Sequence, residues 1–164
     1  MNERAQKIVE IINDVTDDVD VQAGYPDANG NTKVTWCNRA LNRMLVMLGG
    51  KVRLVLDHAG INWTNANRMV NNARSNLVCI PDEETAQSRA NMGDLIIAVR
   101  YNSAGPGHVA LVCPDENEFS ITAGPRIGQA GARCGIMYAA QGFGQPRSEI
   151  EYYHVPYENE GMSA

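Results

Sequence analysis

The chain has 164 residues, 44% hydrophobic and 20% charged, the make-up of a single soluble domain large enough to bury its own core. A formal net charge of -5 argues against nucleic acid as the main partner, which would call for a basic face. No apolar run reaches the length of a membrane span, and Met1-Asn2-Glu3-Arg4 leads into a charged amphipathic segment unlike a secretory signal. The expectation is one domain over residues 1–164, made in the cytoplasm and not inserted in a membrane, with a frayed tail from about Glu158.

Taken in order, Ile8, Val9, Ile11, Ile12 and Val15 predict a short amphipathic first helix that ends near Asp17-Asp18. Gly24 to Asn31 is rich in turn residues, and Asn29-Gly30 suits a tight turn. The alternation Asp27, Asn29, Asn31 matches the start of a calcium loop but lacks the later bidentate acid, so it reads as a turn. From Cys37 the apolar positions Ala40, Leu41, Met44, Leu45 and Leu48 recur at helical steps up to the stop Gly49-Gly50. Lys51 to Leu56 reads as a short strand or extended segment. Asn65 caps a second short helix, and Pro81-Asp82-Glu83-Glu84 opens another that ends at Asn91-Met92-Gly93.

Beyond Gly93 the period changes to two. Leu95 to Arg100 and His108 to Cys113 are predicted strands around a glycine- and proline-bearing turn. Glu118 to Ala123 and Arg126 to Gln129 read as two more, Gly131 to Gly144 as a glycine-rich loop or short helix, and Ile150 to Val155 as a last strand. Helices first and a meander afterwards predict an α+β fold, with N-terminal helices packed on an antiparallel sheet.

Four cysteines without a C-x-x-C pair, and scattered His58, His108 and His154, suggest neither a disulfide framework nor a metal site, and no cofactor is expected. Cys37 sits in the first turn of its helix, where unpaired N–H groups and the helix dipole favour thiolate over thiol. His108 opens a strand after Gly105-Pro106-Gly107, small residues that leave its ring accessible, and is the best imidazole to share the proton of that thiol. Cys79 and Cys113 read as core thiols, and Cys134, beside Arg133, as the one rival nucleophile.

These residues carry a likeness. Cys37-Asn38 at a helix start, Ala66-Asn67-Arg68-Met69, Ala90 to Ala98 and Gly107-His108-Val109-Ala110-Leu111-Val112 together resemble the NlpC/P60 and CHAP branch of papain-like cysteine peptidases. The likeness covers roughly Tyr25 to Gln129, and the order is similar to peptidoglycan amidases used as type VI secretion effectors and phage lysins. It implies a papain-like fold, Cys37 as nucleophile, His108 as base, and attack on an amide in the peptide stems of the bacterial cell wall through an acyl-enzyme. It also implies action on the wall after injection, lysis or another non-classical export, and an immunity protein as a partner.

A third polar residue would stand on the strand after the histidine strand, where the CHAP pattern has Glu and Asn. Here the candidates are Gln129, Ser120 and Thr122. Gln129 is favoured because an amide oxygen can accept from the imidazole. Tyr25, Trp36, Asn38, Asn67 and Gly107 are the expected substrate-binding residues, Tyr25 near the position where relatives carry a tyrosine by the oxyanion. The amide N–H of Cys37 would donate to that oxyanion. Two other classes remain open: a binding or virion-structural domain with the chemistry idle, and a thiol peptidase or acyltransferase acting on something other than cell wall.

Overall fold

A computed structural model describes residues 1–23, 25–26, 33–34, 37–56 and 65–160, with the backbone alone for Asp20, Ala23 and the two pairs 25–26 and 33–34. Helix α1 (Glu3–Thr16) starts at Asn2, whose side chain accepts from the Ala5 N–H at 2.8 Å. Its buried stripe of Ala5, Ile8, Ile11, Ile12 and Val15 follows the helical period. A short α2 (Val19–Ala23) leads to a two-stranded antiparallel ribbon, β1 (Tyr25–Pro26) and β2 (Lys33–Val34). Next come α3 (Cys37–Leu48), α4 (Ala66–Asn76), β3 (Val78–Ile80) and α5 (Glu83–Asn91). Asn65 and Asp82 cap α4 and α5 by accepting from the N–H groups of Arg68 and Thr85. The rest is β4 (Leu95–Arg100), β5 (His108–Val112), β6 (Arg126–Gln129), β7 (Gly135–Tyr138), α6 (Ala139–Gly142) and β8 (Glu151–Val155).

Six strands form one antiparallel sheet in the order β3-β8-β4-β5-β6-β7. Alternation gives it two apolar faces. Leu95, Ile97 and Val99 of β4, with Val109 and Leu111 of β5, pack under α1, α3 and α4. Ile96, Ala98, Ala110, Val112 and Ile127 pack on the other side, under α5, α6 and Phe143. The chain is therefore α+β, with helices on both faces of the sheet. Gly128 lets α1 lie directly on β6, since a Cβ there would collide with Ile12. No described helix is long and apolar enough to cross a membrane.

Several segments depart from expectation. Lys51 to Leu56 is not extended: Val52–Leu54 is a 3-10 turn, set by the reversal at Gly49 (φ 78°) and held by the Lys51 N–H on the Pro156 carbonyl at 2.9 Å. Glu118 to Ala123 is a loop, not a strand; the Arg147 guanidinium binds the carbonyls of Ile121 and Thr122 and leaves them none for a ladder. Glu158 donates its N–H to the Gly49 carbonyl at 2.7 Å, and Glu160 pairs with Arg4. Strands β3 and β7 were not expected, and Cys79 is exposed on the edge strand β3 rather than in the core. The Asp27, Asn29 and Asn31 turn, His58 and residues 161–164 lie outside the described residues.

Candidate active site

Helix α3 buries Ala40, Leu41, Met44 and Leu45, in the same cluster as Val109 and Leu111 of β5, which brings its N-terminus against the start of that strand. Cys37 is 8% exposed there. Burial dominates its ionisation and pushes the thiol above its ordinary pKa. Hydrogen bonds from the backbone N–H groups of Val109, Asn38 and Cys37 itself pull the other way. The helix start favours thiolate, as the sequence suggests, but desolvation outweighs it.

His108 heads β5, and its Nε2 lies 2.6 Å from Oε1 of Gln129, the last residue of β6. Gln129 in turn donates from Nε2 to the Arg133 carbonyl at 3.0 Å, which fixes the amide group with its oxygen toward the ring. That oxygen can only accept, so His108 carries its proton on Nε2 and presents the lone pair of Nδ1. Nδ1 has no hydrogen-bond partner among the described residues. The Phe143 ring meets the imidazole edge-on, with centroids 4.6 Å apart and planes at 67°. Burial lowers the His108 pKa most; the Gln129 hydrogen bond opposes it and the positive charge of Arg100 adds to it. Burial and Arg100 together favour the uncharged ring.

The sulfur thus reaches β5 at the amide that follows His108, from the α3 side. The ring rests on the α6 side, against Phe143 and Gln129. Among the described residues no hydrogen bond joins the thiol to the imidazole in the free protein. A cavity of about 460 Å³ opens beside the ring, lined by His108, Gln129, Gly131, Ala132, Arg133 and Gly142. A larger one, about 840 Å³, lies by Cys79, Asp82 and Ser148 and contains no imidazole.

The other expected site residues divide. Ser120 and Thr122 stand in the β5–β6 connection, at the opposite end of both strands from His108, and the Ser120 hydroxyl accepts from the Ala123 N–H. The Asn67 side chain holds the β4–β5 turn: it donates to the carbonyls of Asn102 and Gly105 at 2.8 and 3.1 Å and accepts from the Asn102 N–H at 3.0 Å. Gly107 is small to admit that side chain, since a Cβ would strike Asn67 and the Arg100 carbonyl. Asn38 is half-buried beside the thiol, and its N–H is one of the three directed at sulfur. Trp36 and the Tyr25 side chain lie outside the described residues. Cys134 is half-buried, 3.9 Å from the Gly131 carbonyl, and Cys113 is buried at the far end of β5.

Sequence reasoning missed Phe143, Gly142, Arg133 and Arg100. One of them had a signal: a hairpin centred on the 101–107 turn places Arg100 directly across from His108, as the register shows. Gly142 has none, although a Cβ there would displace the Gln129 side chain.

No protein-family model matches the chain, and no curated protein does.

Proposed function

We propose that the chain is a cysteine hydrolase of the papain-like kind, similar to NlpC/P60 and CHAP peptidases, cutting amide bonds in the peptide stems of bacterial cell wall. The observation that carries this reading is the Gln129–His108 hydrogen bond, which leaves Nδ1 of the imidazole open on the residue before Val109, whose backbone N–H favours the Cys37 thiolate. In the proposed reaction Nδ1 takes the thiol proton as sulfur attacks the substrate carbonyl, and the Cys37 N–H donates to the oxygen that becomes negative. The proton then passes from Nδ1 to the leaving nitrogen, the C–N bond breaks, and a thioester remains. Water, deprotonated at Nδ1, cleaves the thioester to a carboxylate and returns the proton to sulfur. The sulfur meets β5 from the α3 face while the His108 ring rests on the α6 face, so the reading requires the ring to swing around the start of β5 to reach the thiol.

The test is mass spectrometry of muropeptides incubated with wild-type protein and with Cys37→Ala. New peptide ends that carry one added water and vanish in the variant support hydrolysis. Identical spectra from both proteins sink it, and products joined to an amine indicate an acyltransferase. The near-complete burial of Cys37 favours a second reading, an idle thiol in a binding or virion-structural domain. In that case iodoacetamide labels Cys37 no faster with a stem peptide present than without.

A further inference from the structure

Among the described residues seven arginines form ion pairs with carboxylates, from Arg4 with Glu160 to Arg147 with Glu83, and Arg39 and Arg68 are also engaged. Among the described residues Arg100 and Arg133 meet no carboxylate. In a chain with 19 acidic residues against 14 basic ones, that is a deficit of partners at one place and not a shortage of acids. The place is the imidazole. Arg100 is paired in register with His108, so both side chains leave the same face of the sheet, and its guanidinium lies 5.7 Å from the Phe143 ring centre that the imidazole also touches. Arg133 is exposed and lines the cavity beside the ring, while its carbonyl is held by Gln129.

We infer that this cavity receives a carboxylate of the substrate, gripped by Arg133 at its mouth, with the positive charge of Arg100 favouring an anion from behind the imidazole. Beside His108 and Gln129, the rest of the lining is Gly131, Ala132, Ala140, Gln141 and Gly142, which adds no competing charge. A guanidinium fork suits a planar anion, since it can give a carboxylate two parallel hydrogen bonds. The same Gln129 amide orients the imidazole and pins the backbone of Arg133, so the anion site and the base are fixed to each other. The inference rests on the hydrolase reading for its choice of ligand, an anionic peptide with a carboxylate close to the amide that is cut.

Binding is to be measured by calorimetry on the Cys37→Ala protein, which holds substrate without turning it over. Two probes are compared: a stem tetrapeptide with its carboxylates free, and the same peptide with all of them amidated. The free acid should bind at least about tenfold more tightly, the range expected of a charge-assisted bidentate contact. Arg133→Gln should remove that difference, and Arg100→Gln should reduce it. Equal binding of the two peptides, failure of both to bind, or a preference untouched by Arg133→Gln overturns the inference. The hydrolase reading is judged separately, by turnover in the wild type. Hydrolysis without a carboxylate preference sinks the anion site alone, and a preference without hydrolysis sinks only the chemistry.

Discussion

Strand β5 has a cysteine at each end, and the two ends differ in what surrounds the sulfur. Cys113, 1% exposed, lies 3.4 Å from the Pro114 carbonyl, and burial pushes its pKa up to about 12. Cys37 is nearly as buried, yet the backbone N–H groups of Val109, Asn38 and Cys37 itself oppose the effect of burial on its thiol, and His108, the residue before Val109, carries an imidazole on the other face of the strand. Desolvation is common to both. Donors and a base are found at one end only. A buried thiol is therefore not in itself a sign of chemistry, and the proposed role of Cys37 depends on its neighbours.

The sharpest way to break this comparison is to remove each sulfur in turn. Cys37→Ala should lower muropeptide hydrolysis by about 10³-fold or more, the scale on which loss of a nucleophile is felt. Cys113→Ala should leave turnover near wild type at a stability cost of about 1 kcal/mol for the small cavity. Equal losses from both would mean that the assay reads folding. Next in size is His108→Ala, with an expected loss of about 10²- to 10⁴-fold in kcat. Gln129→Ala should cost less, about tenfold or more, because the ring loses its orienting acceptor while keeping its nitrogen. A Gln129→Ala protein with unchanged kcat would remove Gln129 from the site.

The pH profile sharpens the comparison from the other side. Burial holds the His108 pKa below 6.5, so the imidazole stays an unprotonated base as pH falls through 6.5. The acid limb of kcat/KM should therefore lie below that value, and Arg100→Gln, by removing a nearby positive charge, should move it upward. The sign for stability is the same. Below 6.5 the unfolded chain binds a proton that native His108 still refuses, so its contribution is present above 6.5 and is lost as pH falls through the native pKa. An acid limb at or above 6.5 contradicts this.

Much of one face was legible in the sequence, and little of the other. The stripes of α1 and α3, the cap Asn65 and the period-two runs of β4 and β5 are local patterns, and the elements form where the patterns lie. The α5/α6 face depends on contacts distant in sequence. Gln87 is buried, donating to the carbonyl of Cys113 and accepting the Arg126 N–H. Arg147 captures the loop that would otherwise have read as a strand. The short edge strands β3 and β7 are set by pairing with β8 and β6, not by their own residues. In the site, the Cys37 and His108 positions follow from a helix start and a strand start. That Asn67 holds a turn, and that Gly107 makes room for it, depends on a crossing that no periodicity encodes.

The smallest expected effect concerns the Cys113 end alone. Its thiol keeps its proton in the native state up to about pH 12, whereas in the unfolded chain it ionises near the ordinary value of 9.0. Stability from this group is therefore complete below pH 9 and is lost as pH rises toward 12, by about 1.4 kcal/mol for each pH unit within that window. Cys37, Tyr152 and Tyr153 also have raised pKa values and act with the same sign, so the wild-type curve alone does not isolate Cys113. Subtraction does. Urea midpoints of Cys113→Val, which keeps the site apolar, should fall less steeply than wild type between pH 9 and 11 and match its slope below 9. Parallel curves across that range would show that the Cys113 sulfur is ionised or hydrated in the native protein, and the contrast between the two ends of β5 would then lose its reference.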